Sequence, residues 1–310
     1  MRRHSWIAAI AILALLAGSA WFVRLAMRQI AAPPVPAPTR LPAATLRPPV
    51  ATLPPEYVSD VDARFVVHTA GVDFESFQTL AEAYSYAEVQ EAAQVFDLRT
   101  QYLVWDNATT PPESARIEGV PAIRQLPELP RGCEMTSLAM LIRFMGVETD
   151  KLTLAAEIEK DETPLSRTNG VTTFGNPNRG FVGSMTDMRQ NGLGVYHGPV
   201  FRLLQAYCPS AVDLTGISFG LVEYYLANER PVWIIITSTY QLLPDSAFEF
   251  WQTADGEIRV TYSEHSVLLT GYDADYVYFN DPLGSATRAS KARFVQAWEQ
   301  MGGQAVSVAP

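Results

Sequence analysis

The sequence contains few residues of the kinds that bind metals. Its 310 residues include only two cysteines and four histidines. Cys133 and Cys208 have no partners at the spacing that zinc sites use, and two cysteines are too few for a disulfide framework. The glycine-rich stretch at 170–198 lacks the strand, helix and lysine that surround a phosphate-binding loop. We therefore expect no metal and no cofactor.

Basic residues are scarce beyond the N-terminus. Residues 1–55 contain six arginines and no acidic residue, whereas the rest of the chain carries 17 basic and 33 acidic residues. Nucleic-acid binding needs clustered lysines and arginines that neutralise phosphates. The acidic body therefore argues against a nucleic acid as partner.

The N-terminus carries one long uncharged run. Residues 6–23 are 18 uncharged residues, flanked by arginines and with a tryptophan near each end. This length is at the lower edge of what spans a bilayer. We predict a transmembrane signal anchor over residues 1–30, which makes the chain a single-pass protein of the cell membrane with an extracytoplasmic body. The alternative is secretion after signal cleavage near Gly18–Ala20.

Two segments separate the anchor from the main domain. Residues 31–56 are rich in proline and alanine, which predicts an extended linker. Residues 57–108 show strand, helix and two further strand patterns, and predict a small α+β module of unknown role with Ser76 as a candidate helix cap. Residues 109–117 are a predicted connector.

Residues 118–310 predict an α+β domain, because helical patterns precede short β-branched and aromatic runs. Apolar residues of its first helix recur at three- and four-residue spacing, at Met135, Leu138, Ile142 and Met145, before a stop at Gly146. Cys133 lies in the first turn, where unpaired backbone N–H groups favour a thiolate nucleophile. The alternative is a buried structural cysteine. Glu134 opposes a thiolate, and we interpret it as the partner of a buried cation.

A thiolate nucleophile needs a base, and the base needs an orienting group. The domain offers His197, in a glycine-rich loop, and His265, at the start of a predicted strand. A hairpin would bring His265 next to the end of the following strand, where Asn280 and Asp281 stand. Either could orient the imidazole. The structural alternatives are a surface histidine and an Asp-Pro turn.

The domain resembles the papain-like cysteine peptidases related to the double-glycine leader peptidases, cysteine peptidase family thirty-nine. The resemblance covers about residues 118–300 and lies in segments that occur in the family's order: QLPELPRGCEMTSLAMLIRFMG, GFVGSM, RPVWIIIT and HSVLLTGYDADYVYFNDPLG. It implies a papain-like fold with Cys133 as nucleophile and His265 as base. It also implies that Asp281 orients the imidazole and that Gln125 assists the oxyanion hole.

The resemblance implies an extracytoplasmic cysteine peptidase that hydrolyses amide bonds in a peptide or protein substrate. Leader peptidases are usually fused to a transporter and an ATPase, which this sequence does not contain, so cleavage after a double glycine is not carried over. A cell-wall peptide hydrolase and a non-catalytic peptide-binding module on the same scaffold are the alternatives. A disulfide between the two cysteines would consume the nucleophile, so we expect Cys208 to be a separate buried thiol.

Overall fold

The computed structural model describes residues 62–70, 74–108 and 110–310. Its strands are β1 Phe65–His68, β2 Phe74–Phe77, β3 Gln94–Asp97, β4 Tyr102–Asp106, β5 Ala115–Arg116, β6 Lys160–Asp161, β7 Ser166–Thr168, β8 Val171–Thr173, β9 Phe181–Val182, β10 Ala211–Asp213, β11 Val232–Thr237, β12 Glu249–Thr253, β13 Gly256–Val260, β14 Glu264–Tyr272, β15 Tyr276–Asn280, β16 Arg288–Ser290 and β17 Ala305–Val308. Its helices are α1 Leu80–Ala87, α2 Cys133–Phe144, α3 Lys151–Glu157, α4 His197–Tyr207, α5 Phe219–Ala227 and α6 Lys291–Gln300, with a 3₁₀ turn at Asp245–Ala247.

The predicted anchor and linker, residues 1–30 and 31–56, lie outside the described residues. Within the described ranges, no helix combines the length and the apolar character that crossing a bilayer requires. The membrane anchor therefore stays a prediction, as do the boundaries of the predicted segments 57–108, 109–117 and 118–310.

The largest sheet is antiparallel and has the order β10-β17-β11-β14-β15-β16, with β5 paired to β14. At its centre, β11 and β14 pair over six residues, from Val232 opposite Leu269 to Thr237 opposite Glu264. Their β-branched and aliphatic side chains are buried, as expected for strands covered on both faces. The predicted α+β class is confirmed for this part of the chain.

Helix α2 packs across the sheet and brings its first residue to the edge where β14 begins. All residues from Cys133 to Ile142 are buried, and the predicted apolar face is part of the core. Two polar contacts fix the helix: the Ser137 and Ser266 hydroxyl oxygens are 2.7 Å apart, and the Trp233 indole N–H donates to the Glu134 carbonyl at 3.0 Å. Gly146 follows the helix with φ +88°, a conformation that glycine adopts without strain.

Residues 62–108 contain a second antiparallel sheet, of order β2-β1-β3-β4, with α1 against it. The cap of α1 is Thr79, which forms a capping box with Glu82, whereas Ser76 lies in β2. This sheet shares a hydrophobic cluster with α5, and the Tyr225 hydroxyl donates to the Val104 carbonyl at 2.9 Å. The apolar face of the small sheet is therefore covered by the larger body.

Candidate active site

Cys133 is the first residue of α2 and is 7% exposed. Its thiol donates to Oε2 of Glu134 at 3.3 Å. Burial, followed by the charges of Glu134 and Glu264, raises the pKa of Cys133 well above its usual value, although a backbone hydrogen bond from Ser266 acts in the opposite direction. The first-turn amides do not outweigh these effects, and Cys133 is held as a neutral thiol. It needs a base to become a nucleophile.

His265 and Asp281 form a buried pair across the β14–β15 hairpin. The imidazole Nε2 lies 2.8 Å from Oδ1 of Asp281, and the side chains are 3% and 0% exposed. The carboxylate is an acceptor only, so Nε2 carries the shared proton and Nδ1 remains available as a base. Asn280 instead donates its amide to the carbonyls of Val120 and Pro121. Of the two candidates for the orienting group, the structure places only Asp281 against the imidazole.

Asp281 is held as an anion by several donors. Oδ2 accepts from the Ser285 amide at 2.7 Å, the Ser285 hydroxyl at 2.6 Å and the Tyr240 hydroxyl at 3.0 Å. Burial alone would raise the pKa of Asp281, but the hydrogen bonds from His265 and Ser285 outweigh burial and hold its pKa well below the usual range. The backbone of Tyr240 is left-handed, with φ +56°, a conformation unusual for an aromatic residue.

Cys133, His265 and Gln125 line one cavity of about 510 Å³, together with Glu264. His197 lies elsewhere: its ring pairs with Asp213 at 3.1 Å and lines a different cavity. The structure thus brings the four predicted site residues to one place and separates the rival histidine from them. Both cysteines are free thiols, and Cys208 is buried in the core around α2.

Gln125 is 2% exposed and is oriented by the backbone. Its amide nitrogen lies 3.2 Å from the carbonyl oxygen of Leu129 and 3.0 Å from that of Pro130, so both N–H bonds have acceptors. Its Oε1 is buried and, among the described residues, has no hydrogen-bond partner. One N–H must leave its carbonyl before this side chain can donate to an oxyanion.

Glu134, interpreted from the sequence as the partner of a buried cation, forms no ion pair with any of the described residues. Its Oε1 accepts from the Val195 amide at 2.8 Å, and Oε2 accepts from the Cys133 thiol. It has two titratable neighbours of opposite sign: the His265 imidazole, which lowers its pKa, and the carboxyl group of Glu264, which lies with it against Gly194. Burial raises the pKa of Glu134; burial and the charge of Glu134 raise that of Glu264.

The part of the chain that the structure describes contains one group of side chains with the geometry to hold a metal ion. Ligand atoms of Cys133, Glu134 and Glu264 lie within 4.8 Å of one another. A structural zinc site has four protein ligands and a catalytic site three plus water. These three side chains could therefore serve as ligands, and a metal bound to them would block the Cys133 sulfur as a nucleophile. The expectation that the protein works without a metal stays a prediction.

Three residues of the site were not predicted from the sequence: Tyr240, Glu264 and Ser285. Glu264 directly precedes His265, and Ser285 follows Asp281 by four residues. Their closeness in sequence to the predicted pair is the feature that could have indicated them. Tyr240 reaches Asp281 from the loop after β11. No local pattern marks this tyrosine, because its contact depends on how the chain leaves the central strand.

The chain matches the Peptidase_C39 like family over residues 117–306. It is 44% identical over 184 residues to the uncharacterized protein YvpB of Bacillus subtilis (strain 168), a match that covers 59% of this chain and 70% of YvpB. A crystal structure of a candidate C39-like peptidase from Bacillus anthracis is similar with a TM-score of 0.60 and 44% identity, over 64% of this chain and 98% of that one. The family match spans more than half of the chain and includes every residue of the cavity named above. The chain belongs to the Peptidase_C39-like family.

Proposed function

We propose that the chain is a cysteine peptidase-like hydrolase that cleaves peptide bonds with Cys133 as nucleophile and His265 as base. The observation that carries the proposal is the buried His265–Asp281 pair, whose imidazole lines the cavity that Cys133 also lines. A thiol and an imidazole in one cavity, with a carboxylate that orients the imidazole, are the groups that acyl transfer through a thioester requires.

In the first step, Nδ1 of His265 takes the thiol proton while the sulfur attacks the carbonyl carbon of the substrate. The resulting imidazolium is stabilised by Asp281, which stays ionised because its pKa is low. The tetrahedral intermediate then breaks its C–N bond, and His265 gives its proton to the leaving amine. Water, deprotonated by the same imidazole, hydrolyses the thioester and restores the thiol.

The negative oxygen of the intermediate needs donors that are already in place. The backbone N–H of Cys133 is one, because first-turn amides of a helix have no partner within the helix. Gln125 is the second, after one of its N–H bonds leaves the Leu129 or Pro130 carbonyl. The position of Gln125 on the same cavity wall supports this role.

We further propose that the substrate is an extracytoplasmic peptide or protein and that residues 1–30 anchor the enzyme to the membrane. The uncharged run of residues 6–23, followed by a proline-rich segment and an acidic body, supports this location.

The proposal is tested by incubating the wild type, Cys133→Ala and Cys208→Ala with a peptide library and with purified cell-wall peptides. We expect the wild type and Cys208→Ala to cleave library peptides, and Cys133→Ala to fall to background. Activity that survives in Cys133→Ala would contradict the mechanism. Cleavage of the cell-wall peptides but not of the library peptides would identify the protein as a cell-wall peptide hydrolase. No cleavage of either substrate set would favour a binding module.

A further inference from the structure

The cavity beside Cys133 contains two buried oxygens that lack donors. They are Oε1 of Glu264 and Oε1 of Gln125, and within the described residues neither has a hydrogen-bond partner. Native proteins rarely leave buried polar atoms unsatisfied, so each such atom needs an explanation. Both atoms are acceptors. A hydrogen-bond donor bound in this cavity would satisfy both of them.

Glu264 also lacks a counter-charge. The ion pairs found among the described residues include neither Glu264 nor its neighbour Glu134. A side chain at position 194 would collide with both carboxylates, so Gly194 leaves the room in which they meet. Burial and the neighbouring charge of Glu134 raise the pKa of Glu264 and so favour its protonated form, and a bound cation would favour the ionised carboxylate instead.

The two arginines of the same cavity do not supply this cation, and its third basic group, His265, is paired with Asp281. The Arg131 guanidinium donates to the backbone carbonyls of Ser184 and Asp187 at 2.9 and 3.1 Å. Arg189 pairs with the Asp187 carboxylate at 2.9 Å, and its side chain is 90% exposed. Both arginines thus contact residues 184–187, which directly precede the cavity-lining residues 188–193. The carboxylate of Glu264 remains free to accept from a ligand.

We propose that Glu264 is a specificity residue that binds an ammonium group of the peptide substrate. The ammonium is the α-amino group of the substrate's first residue or a side-chain amine such as that of lysine. This inference rests on the proposed function, because it names the substrate class of the same site. Ligand atoms of Glu264 and Cys133 lie within 4.8 Å of each other, so a cation about 3 Å from the carboxylate would lie close to the attacked carbonyl.

The same contact would assist the nucleophile. After burial, the charges of Glu134 and Glu264 are what raise the pKa of Cys133. A bound ammonium offsets those charges and favours the thiolate. Substrates that carry the cation would therefore be both held and attacked more readily than neutral ones.

The charge preference of the site can be measured without any peptide cleavage. Cys208→Ala, which leaves Cys133 as the single thiol, is treated with three methanethiosulfonates: 2-aminoethyl (cationic), methyl (neutral) and 2-sulfonatoethyl (anionic). Each rate is divided by the rate of the same reagent with free 2-mercaptoethanol. We expect the cationic reagent to be favoured over the neutral one by about tenfold or more, and the anionic reagent to be slowest.

Glu264→Gln removes the charge and keeps the shape of the side chain, and we expect it to abolish most of this preference. The matched control is Glu257→Gln, which removes the same charge from an exposed position on β13 and should keep the preference. Equal relative rates for the three reagents in the parent would overturn the proposal even if Glu264→Gln fails to fold. Protection of Cys133 by Zn²⁺ alone, without a charge preference, would also overturn it and would assign the site to a metal.

A second measurement distinguishes the two sources of ammonium. A peptide library with free N-termini is compared with its N-acetylated form, and with a form in which norleucine replaces lysine. Loss of cleavage on acetylation identifies the α-amino group, and loss on replacement of lysine identifies the side chain. Equal cleavage of all three libraries would contradict the ammonium subsite but not the peptidase activity. No cleavage of any library would contradict the peptidase activity, and the charge preference of the three reagents would then be the test of Glu264.

Discussion

The described part of the chain includes two histidine–aspartate pairs with similar contacts and different surroundings. In the first, His265 and Asp281 are 2.8 Å apart and almost fully buried. In the second, His197 and Asp213 are 3.1 Å apart, and their side chains are 25% and 29% exposed. His265 shares its cavity with Cys133, whereas no cysteine is among the described residues that line the cavity of His197.

The comparison shows that a histidine–aspartate contact is not by itself a catalytic site. Each aspartate contacts its imidazole, but of these two cavities, as the described residues line them, only that of His265 includes a cysteine. Burial adds a second difference, because a charge pair is screened less where water is excluded. The first pair is therefore the one suited to moving a proton, and the second provides a matched reference for mutations.

The largest expected effect separates the two histidines. We expect His265→Ala to lower kcat/KM for peptide hydrolysis by about 10³-fold or more, because the thiol loses its base. His197→Ala should stay within about twofold of the wild type. Steady-state kinetics on a cleaved library peptide measures both, with melting curves to show that each variant folds. Equal losses in the two variants would remove the distinction between the pairs.

The two aspartates provide the next comparison. Asp281→Asn keeps the side-chain shape but removes the charge that stabilises the imidazolium, and we expect kcat to fall by about 10²-fold. Asp213→Asn should leave kcat nearly unchanged. Single-turnover rates measured on the same peptide distinguish a chemical defect from weaker substrate binding. A small effect of Asp281→Asn would mean that His265 needs only a side chain at position 281 held in place by Tyr240 and Ser285, and not its charge.

Each pair also has a buried glutamine nearby. Gln125 lines the cavity of the first pair, and Gln304 accepts a hydrogen bond from the His197 backbone amide at 3.0 Å. We expect Gln125→Ala to lower kcat by roughly tenfold to 10²-fold through the oxyanion, while alkylation of Cys133 by iodoacetamide is little changed. Gln304→Ala should affect neither rate. Parallel loss of hydrolysis and alkylation in Gln125→Ala would indicate a structural role instead.

The smallest expected effect is on stability. Burial would raise the pKa of each aspartate, but hydrogen bonds, first those of the paired histidine, lower both values. A lowered pKa stabilises the fold above the unfolded pKa of about 4, and this contribution is lost as pH falls through the folded-state value. At pH 7 we expect Asp281→Asn to cost about 1–2 kcal/mol of unfolding free energy and Asp213→Asn less. Denaturant titrations should show that the loss of unfolding free energy in each variant is smaller at pH 3 than at pH 7. Losses that are equal at the two pH values would contradict their attribution to the lowered pKa values.

Much of the fold followed from local patterns. The helix beginning at Cys133 was predictable from apolar spacing, and its observed end at Phe144, followed by Gly146, agrees with the predicted stop. The hairpin that places His265 beside Asp281 followed from two β-rich runs separated by a short turn. These features depend on residues close in sequence, so the sequence carries enough information to place them.

Other features depend on distant contacts. The strand Ala305–Val308 pairs with β10 and β11, which lie about 70 to 100 residues earlier, and its four small and β-branched residues gave too short a pattern to identify. The meeting of Glu134 and Glu264 depends on helix α2 packing across β14. The sequence shows that each is acidic, but not that they share one space. The neighbours of Glu134 could therefore not be predicted from its position after Cys133.

The most direct test of the central claim is the alkylation rate of each cysteine at neutral pH, followed by mass spectrometry of peptides from the modified protein. Burial raises the pKa of Cys208 to about 11 and that of Cys133 well above its usual value, so neither thiol should react quickly unaided. If His265 is the base, Cys133 reacts much faster than Cys208 in the wild type and in His197→Ala, and becomes slow in His265→Ala. Equally slow labelling of both cysteines in the wild type, or a Cys133 rate that is unchanged in His265→Ala, would contradict the account.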